Sequence, residues 1–188
     1  MKLALALFGA LLLSACDGTP TFNNVDITGA SYARDFALTD HTGTRRTLAD
    51  YRGKVVVVFF GYAQCPDVCP TTLSDMAQVK HKLGADGERL QVLFVTVDPE
   101  RDTPDVLAQY VPAFDPSFVG LHGTAEEIAK AAKEFKVFYQ KVPGKTATSY
   151  TIDHTAGSYV FDKEGRVRLF VKHGQGVDPI VADLKRLL

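Results

Sequence analysis

The chain has 188 residues, 46% of them hydrophobic, which is enough apolar material for one globular domain with a sizeable core. Its 21 basic and 22 acidic residues leave a formal net charge of -1, a balance that points to neither nucleic acid nor an anionic membrane as the main partner.

Lys2 followed by the apolar run Leu3–Leu13 reads as an export signal, and the run is too short for the roughly twenty residues of a spanning helix. Leu13-Ser14-Ala15-Cys16 then resembles the bacterial lipobox, which implies cleavage before Cys16 and a lipid on that cysteine. Asp17 resembles the signal that keeps lipoproteins at the inner membrane, so the expected address is its periplasmic side. Residues 1–15 are thus read as signal peptide, 16–30 as lipidated Cys16 and a polar flexible tether, and 31–188 as the domain.

Within the domain, Phe36–Asp40 is a short strand candidate, His41–Thr44 a turn and Leu48–Gly53 a brief helical turn. Lys54–Phe60 is a β-branched, fully apolar strand that Gly61 ends, and Cys65 and Cys69 follow it directly. A helix is expected over Thr71–Leu83 with Gly84 as its stop, then a second buried strand over Leu90–Val97. Thr103 and Pro104 mark the start of a helix to about Val111, and Thr124 with Glu127 has capping-box spacing for a helix to Phe135. Between these two helices, Phe118–Gly123 reads as a short strand and turn. Lys141–Ser149 reads as a polar loop covering the site, and Ile152–Gly157 leads into a strand at Ser158–Phe161. Asp162–Gly165 makes a hairpin turn to Val167–Val171, and Val177–Leu188 is a closing helix. Strands alternating with helices predict an α/β domain with a central mixed sheet flanked by helices, and the order resembles a thioredoxin-like fold with an N-terminal extension.

With Cys16 assigned to the lipid, the domain keeps Cys65 and Cys69, which pair only with each other or with a ligand. At a helix start, residues four apart share a face, and the helix N-terminus favours the thiolate that metal and nucleophilic chemistry both need. Two cysteines make a poor closed zinc site, whereas two thiolates plus an imidazole suit copper in both oxidation states. His154 has the best position of the five histidines, beside Asp153 and before a strand, with a structural or surface role as its alternative. It meets the cysteines only if its strand runs antiparallel to the cysteine strand. His41 and His81 read as surface residues, His122 and His173 as turn residues. Asp98, at the end of the second buried strand, reads as a loop cap, with a role behind the ligands as the other reading.

Three stretches, Phe60-Gly61-Tyr62-Ala63-Gln64-Cys65-Pro66-Asp67-Val68-Cys69-Pro70, Val97-Asp98-Pro99-Glu100-Arg101-Asp102-Thr103-Pro104, and Asp153-His154-Thr155 with Tyr159-Val160-Phe161-Asp162, resemble the SCO/SenC family of copper-handling proteins. The resemblance covers most of residues 31–188. It implies that Cys65, Cys69 and His154 bind copper, as Cu(I) and Cu(II); Asp98 and Asp153 are candidates, from their positions alone, for a supporting role behind these ligands. It also implies a role in maturing the CuA centre of cytochrome c oxidase subunit II, with another periplasmic copper chaperone or a thiol reductant as a further partner. Ala63 stands where many members have threonine, and a lipid replaces the frequent transmembrane anchor. A thiol-disulfide oxidoreductase or redox sensor cycling Cys65 and Cys69 is the alternative function, and a binding module with a structural disulfide is the third reading.

Overall fold

The computed structural model describes residues 21–146 and 149–188, so Cys16 and the signal segment lie outside the described residues. Ten strands and four α-helices follow in chain order: β1 (Val25–Asp26), β2 (Ala37–Asp40), β3 (Arg45–Thr47), β4 (Val55–Gly61), α1 (Val68–Leu83), β5 (Leu90–Thr96), α2 (Pro104–Tyr110), β6 (Val119–His122), α3 (Ala125–Glu134), β7 (Tyr139–Pro143), β8 (Tyr150–His154), β9 (Gly157–Phe161), β10 (Val167–Lys172) and α4 (Val177–Leu184). Eight strands form one sheet in the order β1-β10-β9-β4-β5-β6-β2-β3, while β7 and β8 pair only with each other. The sheet is mixed: β5 is parallel to both β4 and β6, and β9 runs antiparallel to β4. This is the α/β thioredoxin-like architecture expected of the element order.

All seven residues of β4 and of β5 are buried, as strands covered on both faces require. Alternation along β4 sends Phe60 to one face, where it meets Phe135 at the end of α3, and Phe59 to the other. Helix ends follow their capping chemistry. Thr103 Oγ1 accepts the Val106 N–H with Pro104 in the first turn, and Thr124 and Glu127 close a reciprocal capping box. Gly84 ends α1 with φ 60°, a left-handed conformation open to glycine.

Four boundaries differ from expectation. Helix α1 starts at Val68, three residues early, because Pro70 tolerates the first turn, where its missing N–H has no partner to lose. Helix α4 ends at Leu184. Residues 141–149 are not one loop: Tyr139–Pro143 pairs with Tyr150–His154, so His154 closes a strand. Strand β8 buries only Ile152, leaving no alternation for the sequence to display. Finally, the domain starts before Ser31. Val25 and Asp26 pair with Phe170 and Leu169, and the amides of Asn23 and Asn24 are clasped by the buried Asp183 carboxylate at 2.8–2.9 Å.

Candidate metal centre

Strand β4 delivers the chain to the cysteines. A Cβ on Gly61 would lie 2.7 Å from Cys69 Sγ and 2.9 Å from the Phe94 ring, so glycine is what lets the thiol rest against the strand end. Cys69 sits in the first turn of α1 and is fully buried, whereas Cys65 in the preceding loop is half-exposed; both are free thiols. Burial pushes the Cys69 thiol well above its ordinary range, with a hydrogen bond from the Tyr62 backbone as partial offset.

The antiparallel pairing of β9 with β4 brings the segment preceding β9 to the end of β4, which is the condition His154 needed. His154 Nε2 lies 3.5 Å from Cys69 Sγ, and the ligand atoms of Cys65, Cys69 and His154 all lie within 4.8 Å of one another. Among the described residues this is the one such cluster of three or more His, Cys, Asp or Glu groups. The imidazole packs edge-on against Phe59 and Tyr62, each with centroids 6.0 Å away. Its Nδ1 faces the Thr155 carbonyl at 3.2 Å, the geometry of a donated N–H, which leaves the Nε2 lone pair directed at the thiols. Burial lowers the His154 pKa from 6.5, so the ring is neutral at pH 7 and ready to ligate. Gly157 admits the Phe170 ring, which would meet a Cβ there at 2.2 Å.

Asp98 and Asp153 stand differently. Asp153 is exposed on β8, and its charge favours the protonated imidazole only as a minor effect. Asp98 is wholly buried away from the cluster, paired with Arg101 and accepting the Tyr150 hydroxyl at 2.8 Å. Arg101 also donates to Gln64 Oε1 at 3.2 Å and to the Tyr150 carbonyl at 3.0 Å, and its guanidinium lies 3.6 Å above the Tyr150 ring. One side chain therefore fastens the cysteine loop to the β7–β8 hairpin. The Tyr62 hydroxyl adds a second fastening by accepting the Ile152 N–H at 3.2 Å.

Asp102 supports the loop from below, accepting the Ala63 N–H at 3.0 Å and the Thr96 hydroxyl at 2.6 Å. Burial raises its pKa despite both bonds. Arg101, Asp102 and Tyr150 went unread in sequence because Arg101 meets its partners 37 and 49 positions away. The remaining histidines are elsewhere: His41 Nδ1 accepts the Gly120 N–H, His173 pairs with Thr72 Oγ1 at 3.1 Å, His81 is exposed, and His122 ends β6.

Comparison with known proteins adds four observations. The SCO1/SenC family profile matches residues 25–188. The copper-bound structure of Bradyrhizobium japonicum ScoI is 42% identical and covers 82% of this chain and 98% of its own, with a TM-score of 0.75. Apo Sco1 from Thermus thermophilus is 43% identical and covers 91% and 99%, with a TM-score of 0.80. The mitochondrial SCO2 homolog of Mus musculus is 36% identical over 154 residues, and the chain spans 60% of that protein's length. A profile match from the first strand to the last residue, on a fold shared almost end to end with two members, means that the chain belongs to the SCO1/SenC family.

Proposed function

We propose that the chain binds one copper ion through Cys65 Sγ, Cys69 Sγ and His154 Nε2 and passes it by ligand exchange to the CuA site of cytochrome c oxidase subunit II. The observation that carries this reading is the convergence of two free thiols and one imidazole within 4.8 Å. A trigonal ion with bonds of about 2.2 Å places its ligands about 3.8 Å apart, so small side-chain adjustments close this set around a metal. Thiolates suit Cu(I), and the imidazole extends the set to Cu(II). Copper in the 42% identical Bradyrhizobium relative supports the choice of metal. Cys65 and His154 are both half-exposed and open to an acceptor's ligands, whereas buried Cys69 retains the ion until transfer is complete.

Lipid on Cys16 after removal of residues 1–15 anchors the protein on the periplasmic side of the inner membrane, and the lipobox resemblance supports this address. No helix of the described residues is long and apolar enough to cross a membrane.

Copper stoichiometry and Cu(II) absorption of the full chain test the site. Cys65→Ser and Cys69→Ser each abolish binding, and His154→Ala weakens Cu(II) far more than Cu(I). Wild-type Cu(II) binding and spectrum in His154→Ala would refute the three-ligand site. The free state of both thiols also favours a second reading, in which Cys65 and Cys69 give two electrons and two protons to a partner disulfide and become a disulfide themselves. An oxidase assembly defect rescued by added copper supports delivery, and one that persists supports thiol reduction.

A further inference from the structure

The near-zero net charge conceals a polarity along the strand axis. Strand β4 ends at the cysteines and begins at the opposite pole, its seven residues spanning about 23 Å. Hydrogen bonds gather that far pole: Gly53 N–H donates to the Lys163 carbonyl, while Lys163 Nζ and Arg89 Nη1 both donate to the Leu188 carbonyl. Arg52, Lys54, Arg89, Lys163, Arg166, Arg168, Lys185 and Arg186 collect there against Asp50, Asp86, Glu88, Asp162 and Glu164. Arg52, Lys54, Lys185 and Arg186 are exposed, and among the described residues none of these four forms an ion pair. The cysteine pole has no comparable excess, with Asp67, Asp98, Glu100, Asp102 and Asp153 against Arg101, Lys141 and Lys172.

The path of the chain agrees with the charge. Strand β1 runs along β10 until Ile27 N–H meets the Arg168 carbonyl, yet the Phe22 ring lies 5.8 Å from the Arg168 guanidinium. The backbone therefore reverses at Asn23 and Asn24, which bend onto Asp183 near the end of α4. Phe22 comes back beside Arg168, whose guanidinium pairs with Asp162 at the hairpin turn of the far pole. Only residues 17–21 separate Phe22 from Cys16, a reach of roughly 20 Å at full extension.

We propose that the pole opposite the cysteines is a lipid-facing surface that seats the domain on an anionic phospholipid bilayer and holds the Cys65, Cys69 and His154 site facing away from it. The proposal rests on the Cys16 anchor. The short tether brings the basic pole within the electrostatic range of the headgroups, about 10 Å at 0.1 M salt, and the excess of cations fixes which way up the domain sits. The site then meets acceptor domains that project from the membrane and is withheld from the lipid surface.

The chain has no tryptophan, so a single introduced one reports one position. The lipidated full-length protein is reconstituted into vesicles of phosphatidylglycerol containing a headgroup-spin-labelled quencher lipid. Glu164→Trp marks the basic pole, and Phe138→Trp replaces a 60% exposed ring beside the histidine strand. Quenching of Glu164→Trp several-fold above that of Phe138→Trp is expected, with the difference shrinking in 1 M salt and in phosphatidylcholine vesicles. Combining Arg52→Gln, Lys54→Gln, Lys185→Gln and Arg186→Gln with each reporter removes the difference while copper stoichiometry is unchanged. Equal quenching of the two reporters in protein that floats with the vesicles overturns the orientation alone. Failure to float in 1 M salt overturns the anchor, and the seating with it.

Discussion

The two halves of the candidate site are built to different standards of rigidity. Cys65 and Cys69 follow β4, the middle of an eight-stranded sheet, and Cys69 is fully buried with its sulfur against Gly61. His154 ends a strand of a separate two-stranded sheet that is largely exposed and is held to the body by Arg101 and the Tyr62 hydroxyl. Isolated hairpins are marginal on their own, so the hairpin's position depends on these fastenings. A site that must both hold and surrender an ion gains from this division: two ligands stay fixed, and the third is on an arm that can be let go.

The largest expected effect comes from cutting the arm's latch. Arg101→Met leaves the wholly buried Asp98 carboxylate unpaired, a change that costs about 3–5 kcal/mol when one partner of a buried pair is removed. Denaturant unfolding measures that loss, and Cu(II) absorption reports His154: the spectrum shifts and Cu(II) affinity falls, while Cu(I) binding by the cysteines changes little. Arg101→Lys restores the charge without the planar fork and recovers only part of the Cu(II) spectrum. Unaltered Cu(II) binding in Arg101→Met would show that the latch does not position the histidine. Gly61→Ala probes the rigid half. Its new methyl meets Cys69 Sγ and Phe94 inside contact distance, and overpacking of this kind costs about 1–3 kcal/mol. Because the cysteine itself moves, Cu(I) and Cu(II) binding weaken together, in contrast to the Cu(II)-selective loss at Arg101. Tyr62→Phe is milder, removing one acceptor from the Ile152 N–H for about 1 kcal/mol. Faster hydrogen exchange at Ile152 with the cysteine environment unchanged is its expected signature.

The same division explains what could be read from the sequence. The buried strands β4 and β5, both capped helices and the hairpin turn at Asp162 announce themselves through local chemistry: apolar runs, Thr124 with Glu127, and Gly165 at φ 76°. The cysteine pair was legible for the same reason, since strand, glycine and helix start are consecutive. His154 was a positional candidate only, because its role depends on β9 pairing antiparallel with β4 from about a hundred residues away in the chain, and local patterns do not encode that pairing. Strand β1 was read as tether because Asn23 and Asn24 look like turn residues until Asp183, 160 and 159 positions later, supplies their acceptor. Arg101 looked like one charge of a loop; its value lies in partners that only the fold brings near.

Strand β1 offers the last and smallest test, because it too is an appended segment fastened by one buried carboxylate. Burial raises the Asp183 pKa, but the backbone and side-chain donors of Asn23 and Asn24 outweigh it and hold the carboxyl below 3.8. A lowered folded value means that the stabilisation is fully present above the unfolded pKa and is lost as pH falls through the folded one, so the clasp opens only below about pH 4. Hydrogen exchange at Ile27, whose N–H bonds to the Arg168 carbonyl, is expected to accelerate in that acid window and, in Asp183→Asn, already at neutral pH. Exchange at Ile152 on the histidine arm remains unchanged by Asp183→Asn. Two of Asp183's donors are backbone amides that cannot rotate away, whereas Arg101 and Tyr62 hold the arm through side chains that can. If Asp183→Asn loosened both segments equally, the two fastenings would be one cooperative unit, and the histidine could not be released without also disturbing the N-terminal strand.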